Sequence, residues 1–265
     1  MNTKTIDFSK YSSIRIGPVA RVALIENDIV PEGHTIIGAA NNVLISPTPP
    51  PLMILSKEYD FIRLEEDGLH VGAATPGGRV VSFCKKNDIA HFEYLSKLPG
   101  TLGGMLKMNA GLKEYEIFNH LMAIRTQSGW IEKKDIQHGY RKTSINEVVF
   151  EAVFDVEKGY STERYEMFNQ MRSNQPHDPS AGSCFKNPPN DYAGRLIEAV
   201  GLKGEHFGAM AFSNVHANFL VNTGGGTFQD ALTLIHEAQM RVKREFNIAL
   251  YCEVVIIDHP NMTNK

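Results

Sequence analysis

The chain has 265 residues, 42% of them hydrophobic, enough to bury a sizeable core and to divide into two or three small domains. Its 27 basic and 30 acidic residues leave a formal net charge of −3, which excludes the broad basic field that holds a nucleic-acid backbone. There is no apolar run of about 18 residues to span a bilayer, the N-terminal residues alternate polar and apolar types, and Cys84, Cys184 and Cys252 lie far apart, so a reduced protein without membrane insertion is expected, with the cytoplasm as default compartment.

Taken in chain order, the first boundary is the Pro47 to Pro51 cluster, whose rings remove donors and fix φ, so it reads as a surface connection. Phe61 to Glu66 and Leu69 to Ala74 flank Asp67-Gly68, a hairpin turn dipeptide, and Thr75-Pro76 opens a helix with Val80, Val81 and Cys84 on one face and Asn87 at its end. A second hairpin is predicted at Ser128-Gly129. From Tyr165 onward the pattern turns helical: Asp191 is placed to cap a helix bearing Leu196, Ile197 and Val200. Thr227 with Asp230 forms a capping box before a stripe of Leu232, Ile235, Val242 and Phe246. Leu250 to Ile257 reads as a buried terminal strand interrupted by Glu253.

Two glycine-rich segments stand out, Gly38-Ala39-Ala40-Asn41-Asn42 and Pro99-Gly100-Thr101-Leu102-Gly103-Gly104, the second followed by Asn109-Ala110-Gly111. Each is either a tight turn or a place where main-chain N–H groups approach a pyrophosphate, and neither fits the G-x-G-x-x-G of a Rossmann site. Pro179 to Pro188 (PSAGSCFKNP) brings a hydroxyl, an amine and a carboxamide together in what reads as a proline-bounded loop for polar recognition, or an ordinary capped turn. Arg141, in Tyr140-Arg141-Lys142-Thr143-Ser144, is either a surface charge or a fork for a carboxylate. Glu253, among apolar neighbours, must lie at a strand end, pair with a cation or be protonated. The histidines and cysteines show no metal-ligand spacing, so no metal is expected.

In order, IRIG from Ile14 to Gly17, the turn at Gly38 to Asn42, PGTLGG, MNAG, YRKTS, PSAGSCFKNP, AGRLIEAVGLKG, HANFLVN and EVVII resemble the signature series of the MurB reductase family over residues 12 to 257. The resemblance implies an α+β fold with a two-part FAD-binding region, of the architecture shared with vanillyl-alcohol oxidase, and a C-terminal α+β substrate domain. The parts fall at 1–53, completed by about 254–265, at 54–165 and at 166–253. It implies NADPH-dependent, FAD-mediated reduction of UDP-N-acetylglucosamine enolpyruvate to UDP-N-acetylmuramate in peptidoglycan precursor synthesis, by a monomer without nucleic-acid partner.

By the same resemblance Ser183 takes the place of the proton donor and Arg141 and Glu253 those of its electrostatic partners. Tyr140, Lys186 and Asn187 would contact substrate. The flavin would be held by Gly38, Ala39, Ala40, Asn41 and Asn42, by Pro99, Gly100, Thr101, Gly103 and Gly104, and by Asn109, Ala110 and Gly111. The chain is short for the family and resembles the subgroup without the extra substrate-covering insertion. Two alternatives stand beside this: a FAD-dependent oxidase or dehydrogenase of related fold acting on another carbohydrate or alcohol, and a non-catalytic nucleotide-sugar binding module.

Overall fold

The computed structural model describes residues 1–173 and 175–259, so residues 260–265 of the expected C-terminal completion lie outside the described residues. Helices and mostly antiparallel sheets alternate in an α+β architecture, and the chain forms two compact units. The first comprises Met1–Lys4, Val22–Ala39 and Leu52–Ser173; the second comprises Thr5–Arg21, Ala40–Pro51 and the described residues of 175–259.

The first unit is built on a five-stranded antiparallel sheet in the order Gly129–Glu132, Leu121–Thr126, Val149–Phe154, Gly68–Gly72, Ile62–Glu65. Both expected hairpins are there. Glu65 pairs with Gly68 and Thr126 with Gly129, and Gly68 (φ 146°) and Gly129 (φ 107°) supply the positive φ each turn needs. The helix Gly77–Lys86 starts after Pro76, ends at Asn87 and buries Val80, Val81 and Cys84. They pack with Leu69, Val71, Leu102, Leu106, Phe118, Ile124 and Phe154 into one apolar core; a side chain of this size fully buried contributes roughly 1.5–3 kcal/mol. Three parallel strand segments complete the unit, Val22 to Ile25 and Thr35–Ile36 on either side of Leu52–Leu55. Helix Thr162–Met171 is anchored by buried Glu93, whose Oε1 accepts from Ser161 N–H at 2.8 Å and from Arg164 Nη2 at 3.0 Å.

The second unit carries the sheet Ser180–Ser183, Phe219–Asn222, Met210–Phe212, His206–Phe207, covered by the helices Ala193–Ala199 and Phe228–Phe246. The Thr227–Asp230 capping box is formed as the sequence predicts. The buried stripe of the long helix is Phe228, Ala231, Leu234, Ile235, Ala238 and Val242, so Leu234 is the interior leucine and Leu232 packs only partly. Asp191 does not cap the helix after it. Ala193 N–H is taken by Asn187 Oδ1 at 3.0 Å, while Asp191 bonds Tyr192 N–H at 2.7 Å and pairs with Arg195. The terminal strand is shorter than the apolar run: only Val255–Ile257 pairs, in parallel, with Val43–Ile45.

Candidate active site

In the first unit the two glycine-rich segments meet. A Cβ added to Gly38 would stand 3.0 Å from Thr101 Oγ1, so the turn after Thr35–Ile36 touches the start of helix Leu102–Lys107. Gly100 has φ 119° and its carbonyl accepts from Gly77 N–H at 3.2 Å, a conformation that suits glycine. At the head of the helix, Leu102 N–H donates to Thr75 O at 2.9 Å and Gly103 N–H to Ala73 O at 2.8 Å, so both donors are spent inside the unit. Gly104 is exposed and a Cβ there meets nothing within 4 Å, which leaves it as the open position of the pair.

The segment after the helix organises Arg141. Asn109 is fully buried with φ 44°, and its carboxamide is engaged on both sides. Nδ2 donates to Glu116 Oε2 at 2.7 Å and to Gly139 O at 3.2 Å, and Oδ1 accepts from Phe118 N–H at 3.4 Å. Arg141 stands with Tyr140 at the tip of a hairpin between His138–Gly139 and Lys142–Thr143, at a φ of 53° that few non-glycine residues adopt. Its Nη1 donates to Asn109 O at 3.3 Å and its Nη2 to Gly111 O at 2.7 Å, with the guanidinium 5.1 Å over the half-exposed Tyr140 ring. Main-chain carbonyls therefore fix the guanidinium plane without consuming its charge. Gly111 pairs across a short hairpin with Glu116, where a Cβ would meet Tyr115 O, and Ala110 is buried behind it. A second cation stands nearby: burial and the neighbouring Arg141 lower the pKa of Arg172, which ends helix Thr162–Met171.

In the second unit PSAGSCFKNP is no free loop. Ser180 pairs with Val221 and Ser183 with Phe219, with a register shift between them and Gly182 at φ 79°. The next carbonyl, that of Cys184, accepts from Glu253 N–H at 2.8 Å and Val254 N–H at 3.3 Å, which sets Ser183 and Glu253 on neighbouring main-chain positions. Glu253 precedes the terminal strand and is only partly buried, so its side chain is spared the cost of a strand interior. The end of the first glycine turn reaches the same segment: Asn42 Nδ2 donates to Glu253 O at 3.0 Å, Asn42 O accepts from Val255 N–H at 3.0 Å, and Ser13 holds Ala40 O and Asn41 O. Lys186 N–H donates to Tyr251 O at 2.9 Å, and Asn187 gives its oxygen to the helix Ala193–Ala199.

All three cysteines are free thiols, and burial pushes Cys184 well up and Cys84 up to about 12, so neither is an activated nucleophile. Sequence reasoning passed over two kinds of residue here. The sequence reading singled out neither Arg172 nor Asn218, inside HANFLVN, whose side chain holds the segment after Ser183. A buried asparagine is visible in sequence only as a polar letter in an apolar strand, and that signal was present at Ala217-Asn218-Phe219.

A family model described as UDP-N-acetylenolpyruvoylglucosamine reductase, C-terminal domain, matches residues 175–257. The chain is 44% identical to a UDP-N-acetylenolpyruvoylglucosamine reductase of Helicobacter pylori over 96% of this chain and 98% of that one. It is 46% identical to one from Campylobacter jejuni over 95% and 99%. A crystal structure of UDP-N-acetylenolpyruvylglucosamine reductase (MurB) from Thermus caldophilus superposes with a TM-score of 0.87 at 27% identity, covering 97% of this chain and all of that one. With near-full-length relatives at this identity and the same fold throughout, the chain belongs to the UDP-N-acetylenolpyruvoylglucosamine reductase family.

Proposed function

We propose that this protein reduces the enolpyruvyl group of UDP-N-acetylglucosamine enolpyruvate to the lactyl ether of UDP-N-acetylmuramate, with NADPH as reductant and FAD as bound carrier, in the cytoplasmic synthesis of peptidoglycan precursor. The observation that carries the reading is the Cys184 carbonyl bond to Glu253 N–H, which holds a hydroxyl and a carboxylate on adjoining segments. Among the described residues no helix is long and apolar enough to cross a membrane.

The residues fit a flavin dinucleotide. Leu102 and Gly103 have no N–H left for a pyrophosphate, so the open Gly104, Thr101 beside Gly38, and the main chain of the Gly38 to Asn42 turn are the groups that would hold it. Pro99, Gly100, Ala110 and Gly111 would line the approach, while Asn109, whose N–H goes to Leu106 O and whose carbonyl goes to Arg141, would act only by holding that segment in place. Bound there, FAD would take a hydride from NADPH and pass it to Cβ of the enolpyruvyl group.

The chain's own groups do the rest. As Cβ gains hydride, charge builds on the substrate carboxylate; the Arg141 guanidinium, held flat by two carbonyls, offers a planar fork to it, and Glu253, as a neutral or hydrogen-bonded acid, serves the charge of the developing enolate. Ser183 Oγ–H delivers the proton to Cα and completes the saturated product. Lys186 and Tyr140 contact the diphosphate-sugar portion, and Asn187 orders the loop that carries Lys186.

The test is an anaerobic absorption titration of the purified protein. The oxidised flavin bands should bleach with NADPH and return on adding UDP-N-acetylglucosamine enolpyruvate. Colourless protein that does not bind added FAD overturns the reading, and so does reduced flavin that is reoxidised by oxygen but not by the enolpyruvyl substrate, the behaviour of an oxidase.

A further inference from the structure

The segment after Ser183 needs a partner that the sheet does not provide. Ser183 pairs with Phe219, and Cys184 N–H extends the ladder by one bond to Asn218 O at 2.7 Å. There the partner strand ends, because the chain folds into a turn at His216, whose carbonyl accepts from Phe219 N–H at 2.9 Å. Phe185 would face that turn with an unmatched N–H and C=O in the core of the unit.

The Asn218 side chain supplies both missing groups. Its Oδ1 accepts from Phe185 N–H at 3.0 Å and its Nδ2 donates to Phe185 O at 2.8 Å. A carboxamide presents the same donor and acceptor as a peptide unit, so one side chain adds a further rung where the main chain has turned away. Asn218 is 4% exposed and is itself held, its N–H donating to His216 Nδ1 at 3.2 Å. On the opposite edge, Cys184 O receives Glu253 N–H and Val254 N–H, and Phe185 bridges to Cys252. The two residues Cys184 and Phe185 are thus clamped from both sides, with Ser183 at one end and Glu253 attached across.

We propose that Asn218 is a positioning residue for the reduction: its carboxamide locks Phe185 and thereby sets the spacing between Ser183 and Glu253. The inference rests on the reading of Ser183 as proton donor. A purely structural asparagine would affect every step alike or none. A positioning one acts where Ser183 acts, and a small misplacement of a reacting group costs roughly 10²-fold.

The experiment compares wild-type, Asn218→Ala, Asn218→Ser, Ser183→Ala and the Ser183→Ala/Asn218→Ala double variant as FAD holoenzymes. Flavin reduction by NADPH and flavin reoxidation by UDP-N-acetylglucosamine enolpyruvate are measured separately, with the configuration at Cα of the product. Asn218→Ala should leave reduction within about twofold, slow reoxidation by roughly 10-fold to 100-fold and yield some product of the opposite Cα configuration; in the Ser183→Ala background it should add almost nothing. Wild-type enzyme that is not reoxidised by this substrate would sink the functional reading itself. Wild-type turnover with Asn218→Ala equally fast, or with both half-reactions slowed in proportion, would sink only the Asn218 inference. Should Ala prevent folding, Asn218→Ser carries the comparison, and failure of both to hold flavin overturns the proposal by making Asn218 a scaffold residue.

Discussion

Gly103 lies so close to Ala73 that an added Cβ would stand 3.2 Å from its Cβ and 3.3 Å from its carbonyl oxygen, whereas the same addition at the neighbouring Gly104 meets nothing within 4 Å. The two glycines of one motif therefore serve different ends, close packing of the helix on the turn that follows strand Gly68–Gly72 in the first case and open approach in the second.

This separates their substitutions. Gly103→Ala forces main chain apart and should destabilise the flavin-free protein by about 1–3 kcal/mol, the usual cost of overpacking. Gly104→Ala fills no occupied space within a helix and should stabilise the apo-protein by roughly 0.5–1 kcal/mol. Gly104→Leu should keep that fold and weaken FAD binding. Thermal unfolding of apo-protein and a fluorescence titration with FAD check both, and a Gly104→Leu protein with normal flavin affinity would remove this residue from the proposed pyrophosphate site.

The pH dependence of stability should carry the signature of His70. Its Nδ1 lies 2.8 Å from Glu151 Oε1 and its Nε2 3.0 Å from Asp67 Oδ1, and both contacts are hydrogen bonds only when the ring carries two protons. Burial opposes the charged ring, but the bonds to Glu151 and Asp67 outweigh it, and the net pKa is raised. A raised folded-state pKa gives stability that is complete below the unfolded value of about 6.5 and is lost as pH rises through the folded value. Unfolding followed from pH 5.5 to 9 should show this decline in the wild type and not in His70→Gln. The same bonds explain why Glu65, Asp67 and His70, whose ligand atoms lie within 4.8 Å of one another, form an ion-pair network as they stand.

What the sequence made legible is mostly local. Asp67-Gly68, Ser128-Gly129, Pro76 and the Thr227–Asp230 box act through neighbouring main-chain groups, and each forms as predicted. Two of the misreadings have a long-range cause and the third a neighbouring competitor. Ser180–Ser183 becomes a strand through a partner at Phe219–Asn222, and nothing near Gly182 announces it. Glu253 drops out of the terminal strand because Cys184 O, far away in sequence, takes its N–H. Asp191 loses the cap to Asn187, which the fold brings closer to Ala193 N–H. The candidate catalytic residues were reachable only through the family's motif order, since Arg141 and Glu253 each kept a plain structural alternative on local grounds.

The seating of Arg141 has a direct consequence. Its two terminal nitrogens donate to two carbonyls, Asn109 O and Gly111 O, that belong to one turn. A lysine ammonium is a point donor and cannot bridge them while presenting a planar fork to a carboxylate. Arg141→Lys should slow flavin reoxidation by roughly 10²-fold or more with FAD still bound, the scale of losing one preorganised charge-stabilising donor. Because the backbone φ of 53° costs lysine and arginine alike, the loss of folding stability should stay near that of one charge-assisted hydrogen bond, about 1–3 kcal/mol. Stopped-flow reoxidation beside thermal unfolding decides it: equal rates in the two proteins would return Arg141 to the class of surface charges.

Glu253 admits the sharpest separation of chemistry from structure. Its main chain is fixed by Cys184 O on one side and by Asn42 Nδ2 on the other, while the side chain lies outside the paired strand and is only partly buried. Replacing the carboxylate by an amide of the same shape disturbs none of those main-chain bonds, so Glu253→Gln should leave the protein folded and holding FAD. If Glu253 serves the forming enolate as a neutral or hydrogen-bonded acid, reoxidation should still fall by roughly 10²-fold to 10³-fold, about 3–4 kcal/mol of transition-state stabilisation, with substrate affinity little altered. Asn42→Ala removes the Nδ2 bond to Glu253 O while leaving the bond from Val255 N–H to Asn42 O, and should lower FAD affinity and reoxidation together. If Arg141 and Glu253 serve one transition state, the losses in Arg141→Lys/Glu253→Gln should combine less than additively. Additive, small losses with turnover intact would leave the two residues without a shared catalytic role and confine Glu253 to holding the end of a strand.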